Sequence, residues 1–152
     1  MHKQKSSIFV QSLFMQPKLL LNAHQIDILL HRLACQLIEN HRDFSNAVLI
    51  GLQPRGIYLL DRLTECLAQD YEREALTIGK LDITFFRDDF RRSDKPHAAS
   101  STEMNIPIEG KDIVFVDDVL YTGRSIRAAL TAIESYGRPK TVELLTLIDR
   151  RF

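Results

Sequence analysis

The sequence predicts an α/β protein: a doubly wound, mostly parallel sheet flanked by helices. Two runs, Ala47-Val-Leu-Ile-Gly-Leu52 and Asp112-Ile-Val-Phe-Val-Asp117, have the unbroken apolar centres of strands buried on both faces. Helical periodicity follows each of them. Alternating strands and helices imply right-handed crossovers, which place helices on both faces of a parallel sheet.

Residues 1–21 show no clear period, although Leu19-Leu20-Leu21 offers a short edge strand. Asn22, with Gln25 three residues on, resembles a capping box. Ile26, Leu29, Leu30, Leu33, Leu37 and Ile38 then recur at helical spacing, to about His41. After the first strand, the turn Gln53-Pro-Arg-Gly56 leads into a second helix carried by Ile57, Leu60, Leu63 and Leu67. A strand is expected from about Leu76 to Phe86, with Ile78, Leu81, Ile83 and Phe85 as its apolar members. Residues 87–107 are polar and aperiodic; so long a loop in a compact domain is usually functional or disordered. A third helix, from about Gly123 to Tyr136, turns Ile126, Ala129, Leu130 and Ile133 inward. Gly137 and Pro139 end it, and Thr141–Ile148 is the last strand.

A chain of 152 residues suits one domain with one core, and residues 1–152 show no repeat or linker. Twenty basic residues balance twenty acidic ones, so net charge argues for neither nucleic acid nor membrane. No apolar run reaches the roughly 18 residues of a membrane span. Gln11 and Ser12 interrupt the short patch Ile8-Phe9-Val10, which makes a poor signal peptide; a cytoplasmic location is expected. Cys35 and Cys66 form no CxxC pair and lie in apolar helical stretches, so both read as buried free thiols.

Ligands of such sheets bind beyond the carboxyl ends of the strands. Two turns leave those ends with unusual chemistry, 53–56 and 117–125. Asp117 and Asp118 close a strand, and Thr122-Gly-Arg-Ser125 opens a helix. A helix N-terminus offers unpaired amides and a positive dipole end, which favour phosphate. Gly123 lets the backbone approach, and Thr122 and Ser125 add hydroxyls. Adjacent carboxylates repel unless ribose hydroxyls, a magnesium ion or developing positive charge engages them. The plainer reading is a capped helix with two solvated aspartates.

Ile113 to Ser125 resembles the signature for phosphoribosyl diphosphate (PRPP) in type I phosphoribosyltransferases. Within that group, Val116-Asp-Asp-Val-Leu-Tyr-Thr-Gly-Arg124 is similar to the PyrR family of pyrimidine-operon regulators and uracil phosphoribosyltransferases. Leu49–Tyr58, Gly79–Thr84 with Arg87-Asp-Asp89, Gly137–Pro139 and Leu147–Arg150 agree. The resemblance implies the type I phosphoribosyltransferase fold and pentosyl transfer from PRPP to uracil, giving UMP, with Mg²⁺ bound alongside PRPP and no metal held by protein alone. By position it implies that Asp117, Asp118 and Arg55 are catalytic. Asp117 and Asp118 would hold the ribose hydroxyls, and Arg55 would meet the diphosphate. Pro54, Gly56, Arg87, Val119 and Leu120 would line the substrate site, while Tyr121, Thr122, Gly123, Arg124 and Ser125 cradle the 5′-phosphate. A cis peptide is expected at Pro54–Arg55. The 87–107 loop would act as a lid carrying Arg91 and Arg92. Tyr121 stands where enzymes for 6-oxopurines carry an aspartate, which favours a pyrimidine.

A different class of function is regulation through RNA. PyrR proteins of some bacteria bind the leader of the pyrimidine-operon messenger, and His31, Arg32, Arg42 and Arg150 are the candidate contacts, depending on salt. A phosphoribosyltransferase for another base is the other alternative. Homo-oligomers are usual in the family, with Phe14, Leu67 or the exposed parts of the first two helices as the interface. The family's C-terminal tail, which follows the Asp149-Arg150 position, is expected to be lacking.

Overall fold

The structure is a computed structural model and describes residues 18–86 and 102–150. The chain runs α1 (Ala23–His41), β1 (Ala47–Leu52), α2 (Gly56–Tyr71), β2 (Thr77–Leu81), a 3-10 turn (Thr84–Phe86), β3 (Asp112–Leu120), α3 (Arg124–Ile133) and β4 (Thr141–Asp149). The four strands form one sheet in the order β2-β1-β3-β4, and every pairing is parallel. Val48 lies level with Ile113 and Thr77, and Phe115 with Leu144.

Strand pleating explains the two cores. Ala47 and Leu49 of β1, with Val114 and Val116 of β3, face one side, where Leu30, Ala34 and Leu37 of α1 and Leu60, Leu63 and Leu67 of α2 cover them. Val48, Ile50 and Leu52, with Ile113 and Phe115, face the other side, covered by Ala128, Ala129, Ala132 and Ile133 of α3 together with Met104 and Ile108. All six residues of β1 are buried, as its unbroken apolar run requires.

The capping box at Asn22 is present: its side chain accepts from the Gln25 amide, and the Gln25 side chain accepts from the Asn22 amide, both at 2.9 Å. Other expectations change. Leu19, Leu20 and Leu21 form no strand and lead irregularly into α1. The strand expected to reach Phe86 stops at Leu81, because Asp82 takes the Thr84 amide at 2.8 Å and starts a turn. In α3 the buried stripe is Ala128, Ala129, Ala132 and Ile133, and Leu130 is exposed. Cys66 is buried but Cys35 is exposed. Leu67 is fully buried in the α1–α2 core, which removes it as an interface residue; Phe14 lies outside the described residues.

Of the 87–107 loop, residues 102–107 are described. Glu103 exchanges backbone hydrogen bonds with Lys80 of β2 at 2.9 and 3.0 Å, and Met104 is buried beneath. Among the described residues no helix is long and apolar enough to cross a membrane.

Candidate functional site

The chain passes from β1 out to β2 at one edge, then returns to place β3 on the other side of β1. The connections leaving β1 and β3 therefore diverge, and a crevice opens between their carboxyl ends. The 53–56 turn forms one wall and residues 117–125 the other.

Gly56 brings the walls together. A Cβ there would overlap the Val116 carbonyl oxygen, so only glycine lets α2 start this close to β3. Arg55, the residue before it, reaches Asp118 with its Nε 3.1 Å from the carboxylate. The two aspartates differ in setting. Asp117 is buried, and burial, reinforced by the like charge of Asp118, pushes its carboxyl up to about 6, against the pull of the Asp118 amide and Arg55. Its Oδ1 accepts from that amide at 2.9 Å, and the Asp118 carboxylate accepts from the Val119 amide at 2.8 Å. Asp118 is half-buried and paired with the exposed Arg55.

Beyond them the chain curls into α3. Gly123 is the N-cap, with φ +75°, and as a glycine it gives the first amides of the helix no side-chain cap. Those amides and the hydroxyl-bearing Thr122 and Ser125 border a concavity of about 430 Å³, shared with Arg55, Asp117 and Tyr121. Gln53, Pro54, Ile83 and Asp118 line a smaller recess of about 70 Å³, to which Arg55, Asp117 and Ser125 also contribute.

The described site residues of the catalytic and phosphate-binding sets thus share one crevice. Arg87, Arg91 and Arg92 lie outside the described residues. The cis peptide is Gln53–Pro54, one bond before the expected Pro54–Arg55; the tertiary amide of an X–Pro bond is where the cis form is commonplace. Arg150 also changes neighbourhood. Its guanidinium lies 4.3 Å from the centre of the Tyr121 ring and its amide donates to the Leu120 carbonyl at 2.8 Å, within the concavity at the start of α3. His31 and Arg32 line a separate groove on α1, and Arg42 is the exposed C-cap of that helix. Gln53 belongs to the 53–56 turn but carries no site role from the sequence alone, and Ile83 is expected only as a strand residue. Their positions at the ends of β1 and β2 were the available signal, since ligands gather at those ends.

Comparison with known proteins agrees with this geometry. A phosphoribosyl transferase domain model matches residues 18–151. The bifunctional protein PyrR of Enterococcus faecalis is 44% identical over 121 residues, covering 80% of this chain and 67% of that protein. Its namesake from Synechocystis sp. is 41% identical over 131 residues, covering 86% and 72%. A hypoxanthine phosphoribosyltransferase from Staphylococcus aureus has a TM-score of 0.63 at 18% identity, over 88% of this chain and 68% of that one, a likeness of fold. Matched along most of its length to both the domain and these relatives, the chain belongs to the PyrR family of phosphoribosyltransferases.

Proposed function

We propose that the protein transfers the phosphoribosyl group of PRPP to uracil, yielding UMP and diphosphate. The observation that carries this reading is the pair Asp117–Asp118 near the carboxyl end of β3, facing Arg55 across the switch point, with the glycine-capped start of α3 beside it. A sugar bearing phosphate at one end and diphosphate at the other needs these features in this order. The first amides of α3 suit the 5′-phosphate. The carboxylates suit the ribose hydroxyls, and Arg55 suits the diphosphate.

As the bond from the anomeric carbon to diphosphate breaks, the ribose gains positive character and the leaving group takes the electron pair. Asp117 and Asp118 stabilise the first charge and Arg55 the second. The uracil nitrogen then forms the new bond and releases its proton. Hard carboxylate oxygens at Asp117 and Asp118 fit a magnesium ion shared with substrate oxygens, and Mg²⁺ bound with PRPP would supply charge neutralisation on the diphosphate. Tyr121, held under Arg150, occupies the position that favours a pyrimidine over a 6-oxopurine. The deciding experiment supplies PRPP and Mg²⁺ with uracil, orotate, adenine or hypoxanthine in turn. UMP from uracil alone is expected, and a nucleotide formed from hypoxanthine instead would overturn the reading.

A second activity is favoured by the word bifunctional in the relatives' names. Its ligand would be the pyrimidine-operon leader RNA, bound with UMP as co-regulator, and the exposed Arg32 of α1 and its C-cap Arg42 are candidate cations among the described residues. A gel shift with that transcript, titrated with salt and UMP, is expected to show retardation that weakens with salt. Migration unaltered at low salt rejects it.

A further inference from the structure

On the face of the molecule formed by α1 and α2, two pairs of side chains stand one helical turn apart. His31 and Cys35 are four residues apart on α1, and Cys66 and Asp70 are four apart on α2. Such spacing puts each pair on one face of its helix. The donor atoms of His31, Cys66 and Asp70 all lie within 4.8 Å of one another. We propose that His31, Cys66 and Asp70 bind a zinc-type divalent cation that ties α1 to α2, with the fourth position open to water.

The orientation of His31 supports this assignment. Its Nδ1 is 2.8 Å from the Asp27 backbone carbonyl, which only accepts, so the ring hydrogen sits on Nδ1. Ligating histidines are commonly fixed in this way, with one nitrogen donating to a carbonyl and the other left for the metal. The freed Nε2 lies 3.2 Å from the Asp70 carboxylate. Two lone-pair atoms that close require a proton or a cation between them. In a tetrahedral zinc site, bonds of about 2.0–2.1 Å put nitrogen and oxygen ligands roughly 3.3 Å apart, which the His31–Asp70 spacing already matches. Arg62 of α2 holds the Asp27 carboxylate at 2.6 Å and so steadies the segment that orients the ring.

The donor set chooses the metal. One sulfur with one imidazole and one carboxylate suits zinc or cobalt and disfavours magnesium. Cys66 forms the buried floor, while His31 and Asp70 are half-exposed at the rim, which gives an entry path. The Cys35 thiol is instead engaged by the Tyr71 hydroxyl at 3.3 Å. The site lies away from the PRPP crevice in residue content, sharing none of its lining.

The test uses the full chain, reduced and stripped with a chelator, then titrated with Zn²⁺ against a chromophoric competitor and with Co²⁺ by absorption. One equivalent per chain is expected, with a near-ultraviolet thiolate-to-cobalt band and visible bands of tetrahedral cobalt, and with excess Mg²⁺ failing to compete. His31→Gln and Asp70→Asn, both at half-exposed positions, keep the fold by circular dichroism. Each is expected to weaken zinc binding by at least the roughly 10–100-fold that even outer partners of a ligand command. Cys66→Ser removes the thiolate band. Asp118→Asn leaves uptake unchanged. The proposal is overturned by the absence of stoichiometric uptake, by uptake undiminished in both His31→Gln and Asp70→Asn, or by uptake lost in Asp118→Asn.

Discussion

Burial holds the Asp117 carboxyl near 6, whereas the half-buried Asp118 is paired with Arg55. An acid whose folded value is raised keeps its proton more tightly in the native state than in the unfolded chain. Its contribution to stability is therefore complete below the ordinary 3.8 and is lost as the pH rises through about 6. By neutral pH the loss is about 2–3 kcal/mol. Asp117→Asn should consequently melt higher than wild type at pH 7.5, by about 2–4 °C per kcal/mol, and like wild type at pH 4. An equal shift at both values would assign the effect to something other than ionisation. On the proposed role of Asp117 in the reaction, the same variant is expected to lose turnover. Asp118→Asn is expected to lower kcat on the order of 10²-fold while the KM for PRPP moves little; unchanged turnover in steady-state kinetics rejects its role.

Helix α2 begins where it does because Gly56 has no side chain to strike β3. Gly56→Ala must push the helix start away from the Val116 carbonyl, at a cost of about 1–3 kcal/mol. Arg55 moves with it, so the KM for PRPP should rise even in molecules that remain folded; denaturant titration and initial rates together check this, and an unaltered KM in the folded fraction counts against it. The sequence displayed the parts of this arrangement that depend on local physics. A run such as Val48–Leu52 announces two buried faces, Asn22 with Gln25 announces a cap, and Thr122–Ser125 after two aspartates announces the glycine-capped start of a helix. Other features depend on tertiary context. Ile126 does pack against the core, but nothing local favoured Ala128 and Ala132 over Leu130, because alanine carries little periodic signal. The end of β2 hinged on the Asp82–Thr84 turn, and Arg150 joined Tyr121 only once β4 had paired with β3.

At the scale of the molecule, the crevice is made by segments far apart in the chain that meet through the β1–β3 pairing. Ligand binding is thereby linked to unfolding of the whole sheet. PRPP with Mg²⁺ at a hundred times its Kd should stabilise the fold by about 2.7 kcal/mol, read as a rise of several degrees in one cooperative transition. A ligand-insensitive midpoint would contradict that linkage. Phe115, fully buried in the central strand, is the severest packing test. Phe115→Ala should cost about 3–5 kcal/mol, a large part of the stability of an ordinary domain. The order of strands also leaves β4 at an edge, paired among the described residues with β3 alone, with Val142 and Leu144 partly exposed. Along such a strand every second amide points at its neighbour and the others point outward. Deuterium should accordingly enter β4 in a two-residue rhythm, fast and slow, while β1 and β3 stay protected throughout. If any further strand docks on that edge, the fast amides turn slow, and the exchange pattern of one strand becomes a direct gauge of assembly.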